Sequence, residues 1–383
     1  MIAQSPYRAV FPSAETGIHF DHAGVAPIST RVAEAIDAFT RESVENLAVR
    51  YPYWELRAEE VRAACARLSG AESRQVAFVK NTSEALSFVA AGLDWKPGDV
   101  ILTVDEEFPS NMYPWWDLQR IGVETRMLPA SAVVGDLDEV VAALDARVRM
   151  LAISAVAYGT GDRRPLAALG ELCRSRDVLL VVDAIQALGA VSVDLSGEGL
   201  DCVAADGHKW ICAPEGAGFM ALSDRLLDRL RPVELGWKSV VESSRHYPYQ
   251  FQVRTDAAKL EAGSLNLMAL HGLGAAVDLA LEATLPEIEA RIGGLASGLA
   301  EGLRLRDRRL LGARGGAGTP APSGIVTFEP KAKPERLRQE LWARGVVCKV
   351  RLGGLRLAPH HYQDDHHVSD FFDRLDDAEE QLS

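Results

Sequence analysis

The chain is poor in cysteine: five residues in 383, at positions 65, 173, 202, 212 and 348. None sits close enough to another to suggest a metal or disulfide framework, so they read as reduced thiols. Long apolar runs are missing too, and nothing approaches the uninterrupted length of a membrane span. The start, Met1 to Pro6, lacks the charged-then-apolar order of a secretory signal, which makes a cytoplasmic address the expectation. Basic charge is short: 41 Lys and Arg stand against 54 Asp and Glu, a net charge of -13. Nucleic acid is a poor partner for such a surface, because phosphate binding needs a basic one. What is present, 48% hydrophobic and 25% charged residues, suits a soluble protein with one large or two moderate domains that handles small molecules.

The segment from Val178 to Pro214 organises the rest. Val178 to Val182 is an aliphatic run of the kind a strand buried on both faces requires, and it stops at a carboxylate, Asp183. Ligands of open α/β sheets sit at the carboxyl ends of the strands, which places Asp183 to meet a cation. A second apolar segment, Asp201 to Ala205, leads into Asp206-Gly207-His208-Lys209-Trp210, where a glycine turn presents a lysine between an imidazole and an indole. Pyridoxal phosphate chemistry needs this pair: a lysine whose amine is easily deprotonated, and a carboxylate that keeps the pyridine nitrogen protonated. Read without that chemistry, the same residues are a buried structural acid and an ordinary surface lysine.

Three motifs together, Val182-Asp183-Ala184-Ile185-Gln186-Ala187, Gly207-His208-Lys209 and Pro214-Glu215-Gly216-Ala217-Gly218, resemble the class V aminotransferase and cysteine desulfurase family of fold-type I pyridoxal-phosphate enzymes. The likeness extends over nearly the whole chain. It implies Lys209 as the Schiff-base lysine, Asp183 on the pyridine nitrogen, Gln186 near the ring hydroxyl and His208 near the phosphate. It also implies an α/β fold with a mostly parallel sheet in a large domain, residues 20–260, and a smaller α+β domain from residues 1–19 and 261–383.

Along the chain, a turn at His19 to Pro27 precedes a helix beginning near Ser29. Similar family segments touch substrate, which makes His22 a candidate, although a plain solvated turn reads the same way. An amphipathic helix is expected from about Tyr53 to Leu68, then a strand at Gln75 to Lys80 and a helix from Ala85 to Ala91. Asn81 and Glu84 form a capping-box pattern, and the free amides of such a helix start suit a phosphate. In relatives a hydroxyl pair holds the cofactor phosphate there, which carries over to Thr82 and Ser83. After the strand Val100 to Val104 comes Phe108, where cysteine desulfurases have a histidine stacked on the ring; here the stacking face remains without a titratable group. Further strands are expected at Met150 to Val156, Gly324 to Phe328 and Val346 to Val350, and helices at Pro165 to Arg176, Leu267 to Leu281 and Val368 to Leu382. Tyr158 either donates a hydrogen bond near the ring or only packs. Gly312 to Gly324 reads as a glycine- and proline-rich loop.

Glu261 to Asn266 resembles the family turn by which one subunit lends a hydroxyl to the phosphate of the other. Ser264 would take that part, implying a homodimer with a shared active site, and it could equally be a local cap. Arg351 to His360 resembles the segment whose arginine binds the substrate carboxylate; Arg356 is the match and Arg351 its rival. The group His360, His361, His366 and His367 with Asp364 and Asp365 invites a metal, but a capped helix with solvated histidines accounts for it.

The loop cysteine of desulfurases has no counterpart: Cys348 falls in an apolar strand, and Cys212 reads as a buried small hydrophobe. The expected reaction is therefore proton removal from the Cα of an amino acid by Lys209, followed by lyase chemistry at Cβ of a cysteine-like substrate. Transamination and epimerisation remain open. A regulatory protein that kept the fold is disfavoured by the retention of Asp183 and Lys209, and an NAD enzyme by glycines that do not open a strand-to-helix phosphate loop.

Overall fold

The computed structural model describes residues 4–313 and 323–382; most of the loop read between Gly312 and Gly324 lies outside them. Helix α1 (Thr30–Glu45) starts at Ser29, whose hydroxyl accepts the Val32 amide, and α2 (Tyr51–Leu68) follows. Then come strand β1 (Val76–Val79), helix α3 (Thr82–Gly92) and strands β2 (Val100–Val104), β3 (Glu124–Leu128) and β4 (Val148–Ser154). Strands β5 (Leu179–Asp183), β6 (Cys202–Asp206) and β7 (Gly218–Leu222) complete a seven-stranded sheet in the order β1-β7-β6-β5-β4-β2-β3. Only β7 runs against its two neighbours; the other pairings are parallel. Every residue of β5, β6 and β7 is buried, which is why these stretches read as unbroken aliphatic runs and not as alternating ones.

Helix α4 (Leu166–Ser175) connects β4 to β5, and beyond the sheet lie α5 (Leu267–Ala283) and α6 (Leu285–Arg304). A small three-stranded sheet is built from β8 (Val326–Phe328), β9 (Lys349–Arg351) and β10 (Gly354–Leu357), in the order β9-β10-β8, and α7 (Asp365–Leu382) closes the chain. The strand expected across 346–350 is split. Val346–Val347 pairs with Ile18–His19, and Cys348 turns the chain toward the other sheet.

The cores do not divide at residue 261. Leu267 to Ala283 packs its apolar side chains into the core of the large sheet, as do Ile288 and Ile292, whereas Leu295 to Leu303 of the same α6 helix joins the core beneath β8 and β10. The change from one core to the other falls inside one continuous helix, where no turn signal marks it. Among the described residues no single helix is long and apolar enough to cross a membrane.

Candidate active site

The carboxyl ends of β1, β5 and β6 converge on a cavity of about 300 Å³ that reaches across to the β9–β10 hairpin. This is the strand-end crevice where open α/β sheets take ligands. Its lining includes Thr82, Ser83, Phe108, Asp183, Gln186, His208, Lys209 and Arg356, so eight of the residues singled out in the sequence meet in one place.

Asp183 ends β5 with its side chain buried and accepts the Ile185 amide at 3.0 Å. Burial pushes its carboxyl up to about 7, the Ile185 amide opposes this, and the Glu107 carboxylate adds to it. Lys209 lies in the turn after β6. Burial pulls its amine down to about 8 against the pull of Asp183, and the Arg356 and Arg351 charges depress it further. Among the described residues the Lys209 amine has no hydrogen-bond or ion-pair partner; it stands 5.7 Å from the centre of the Phe108 ring. Phe108 in turn meets Tyr158 edge-on at 5.3 Å.

The phosphate end is built from α3 and the lysine turn. The Asn81 side chain accepts the Glu84 amide at 2.9 Å, while Glu84 reaches back to the amide of Lys80, one residue earlier than a capping box would have it. That leaves the first-turn amides of α3 at the cavity, with positive potential from the helix behind them. Thr82 Oγ1 accepts the Asp206 amide at 3.1 Å, and Ser83 donates to Ser110 at 2.7 Å. His208 Nδ1 lies 2.9 Å from Asp206 Oδ2. Gln186 is fixed at both ends, donating to the Ala23 carbonyl and accepting from the Trp210 indole, each at 2.9 Å.

Arg356 is almost fully buried. Its Nη1 donates to the Tyr158 carbonyl and its Nη2 to Asp21, both at 2.9 Å, and its Nε has no partner. An unpartnered buried N–H is costly, and Arg356 is part of the cavity lining.

His22 is corrected. It is fully buried, one ring nitrogen against the Ala358 carbonyl and the other against the Tyr362 hydroxyl, each at 2.7 Å, so it braces the back of the site and does not line it. Its neighbour Asp21 faces the cavity instead, since successive side chains of an extended segment point opposite ways. The histidines expected to be solvated are mostly not. His360, His361 and His367 are buried, holding the Trp210 carbonyl, each other and Asp364, and only His366 is exposed. Ser264 lines a different cavity, with Lys80, Glu84 and Asn266, and does not enter the main one.

Sequence reasoning passed over Glu107 and Lys349. Glu107 is buried, accepting from the Ser154 amide and hydroxyl and from Asn111. It stood in an acidic run, Asp105-Glu106-Glu107, that reads as solvated turn, and only the tertiary fold distinguishes the third member.

Fold and site together define a fold-type I pyridoxal-phosphate enzyme. A family model for class V aminotransferases matches residues 18–354, and the chain belongs to that family. It is 31% identical over 323 residues to a probable cysteine desulfurase of Pseudomonas aeruginosa, covering 80% of this chain and 79% of that one. It is 29% identical to an isopenicillin N epimerase of Streptomyces clavuligerus over 83% of each. The cystine C–S lyase C-DES, solved with cysteine persulfide, superposes with a TM-score of 0.87 at 24% identity, covering 95% of this chain and 98% of that one.

The cofactor of the family is pyridoxal phosphate, and the residues present fit it. Among the described residues the Lys209 amine is unpartnered and the buried Asp183 has no ion-pair partner, and with the open start of α3 they are complementary to an aldehyde, a pyridinium and a phosphate. Because only the neutral amine is nucleophilic, uptake of the cofactor by apo-protein is expected to quicken as pH rises toward 8 and to level off above it. Stopped-flow absorbance across pH 6 to 9 checks this; a flat rate would show that Lys209 is not tuned.

Proposed function

We propose that the protein is a lyase acting at Cβ of a cysteine-like amino acid, releasing its sulfur substituent into solution. The carrying observation is that no thiol lines the cavity, while Lys209 does. All five cysteines are buried. Burial pushes the Cys348 thiol up to about 12 and that of Cys212 higher still, so neither supplies the thiolate that would attack sulfur. The loop that carries such a cysteine in desulfurases has no room here. β9 and β10 are joined by Leu352 and Gly353 alone, with φ of 50° and 74°, the backbone of a two-residue hairpin turn.

When bound, pyridoxal phosphate supplies an electron sink for a pair of electrons at Cα. The chain supplies the rest. Arg356, which lines the cavity, takes the substrate carboxylate while Asp21 holds its Nη2. Lys209, neutral near pH 8, removes the Cα proton and returns one to the departing sulfur. Phe108 offers a flat apolar face and no proton, so the ring-stacking position supplies no second base, which favours elimination over a two-base epimerisation.

The protein is further proposed to act as a homodimer in which Ser264 of a second copy completes the phosphate seat. Ser264 lies outside its own chain's cavity, and the segment carrying Tyr247, Tyr249 and Phe251 leaves all three rings highly exposed.

Incubating cofactor-loaded protein with L-cysteine decides the reaction. Elimination, with one water consumed, yields pyruvate, ammonia and sulfide in equal amounts. Alanine with protein-bound sulfur would make it a desulfurase and sink the proposal, and D-cysteine would make it an epimerase. Cys348→Ala and Cys212→Ala are each expected to keep kcat within about twofold, at a cost of about 1 kcal/mol for the small cavity left behind.

A further inference from the structure

The β9–β10 hairpin brings three cations to one cavity: Lys349, Arg351 and Arg356. Lys349 and Arg351 are two residues apart on β9 and share a face, and Lys349 stands directly opposite Arg356 in the antiparallel register. Like charges placed directly across a ladder are destabilising. The Arg356 charge is met by Asp21. Among the described residues nothing meets the other two: the Arg351 side chain donates only to the neighbouring Val350 carbonyl, and Lys349 has no ion-pair partner. The acids that line the same cavity are committed elsewhere, Asp21 to Arg356, Asp206 to His208, and Asp183 beneath the Ile185 amide. The rim is thus cationic in a chain whose net charge is -13. The cofactor phosphate does not need these groups, since its seat is the start of α3.

We propose that Lys349 and Arg351 form a second anion seat, and that the substrate is an amino acid whose side chain ends in an acidic group. The inference rests on the reading of the cavity as an amino-acid site, but not on which bond is cleaved. Arg356 takes the α-carboxylate, Phe108 and Tyr158 flank the stem, and the planar fork of Arg351 with the point charge of Lys349 receives the distal acid.

The test uses cofactor-loaded protein and a matched pair, S-carboxymethyl-L-cysteine and its neutral amide, with binding read from the visible absorption of the cofactor. The acid is expected to bind at least about tenfold more tightly than the amide, as two charge-assisted hydrogen bonds would give. In Lys349→Met/Arg351→Met that acid-to-amide ratio is expected to fall to near one, whatever happens to the absolute affinities; a merely structural role would weaken both ligands alike and leave the ratio standing. Equal binding of the pair to the unaltered protein, or a ratio that survives the double substitution, overturns the proposal. So does an equal loss for acid and amide in Arg351→Met, which would hand the α-carboxylate to Arg351. Pyruvate release in the same samples is scored separately. Elimination from the acid breaks Cβ–S, frees mercaptoacetate and, with one water, gives pyruvate and ammonia. Tight, charge-selective binding without pyruvate would refute the lyase reading and leave the second seat in place; pyruvate from both ligands with no selectivity would do the reverse.

Discussion

Lys209→Ala is expected to lower kcat by at least about a thousandfold, the scale on which positioned acid–base and nucleophilic groups act. Two functions are lost at once. Burial pulls the amine down to about 8, and it stands in the cavity with no hydrogen-bond or ion-pair partner among the described residues, so it is the base proposed to take the Cα proton. It is also the group that would hold the cofactor covalently, and the visible absorption of the purified variant should shift and be lost on dialysis. The fold is expected to survive, because burying a lysine amine without a partner costs stability and alanine relieves that cost. Single-turnover assays with the cofactor in excess separate the two losses. Turnover within tenfold of the unaltered protein would remove Lys209 from the mechanism.

Arg356→Met is expected to act on both binding and stability. Losing two charge-assisted hydrogen bonds to a carboxylate would raise KM by about a hundredfold or more. Arg356→Lys would recover only part, since an ammonium cannot reproduce the side-on fork. The substitution also strands the Asp21 carboxylate, whose side chain is 11% exposed. Breaking one half of a buried pair costs about 3–5 kcal/mol, which thermal unfolding would show as a drop in Tm. Asp21→Asn/Arg356→Met is expected to regain much of that stability while KM stays high. An unchanged KM in Arg356→Met would mean that the substrate carboxylate is held elsewhere.

The contrast between Asp21 and His22 shows what a sequence can and cannot disclose here. The turn at His19 to Pro27 does reach the site, yet Asp21 and not His22 faces the cavity, because period-two geometry decides which of two neighbours points inward and a turn carries no reference for the phase. Asp183 and Lys209 were legible because the first ends a buried strand and the second lies in the turn just after one, and their setting is encoded in the runs Val178 to Val182 and Asp201 to Ala205. Glu107 and Lys349 were not: each is distinguished only by what the fold packs against it or leaves unpaired, a property of distant chain segments. The division of the cores inside α6 escaped for a related cause, as a helix that serves two cores has the same apolar periodicity throughout.

The two-residue link between β9 and β10 also bears on what becomes of the product. Among the described residues this link is too short to serve as a tether that carries a sulfur atom outward. On the lyase reading proposed above, the sulfur product leaves as a diffusible molecule and not as a group handed over in a docked complex.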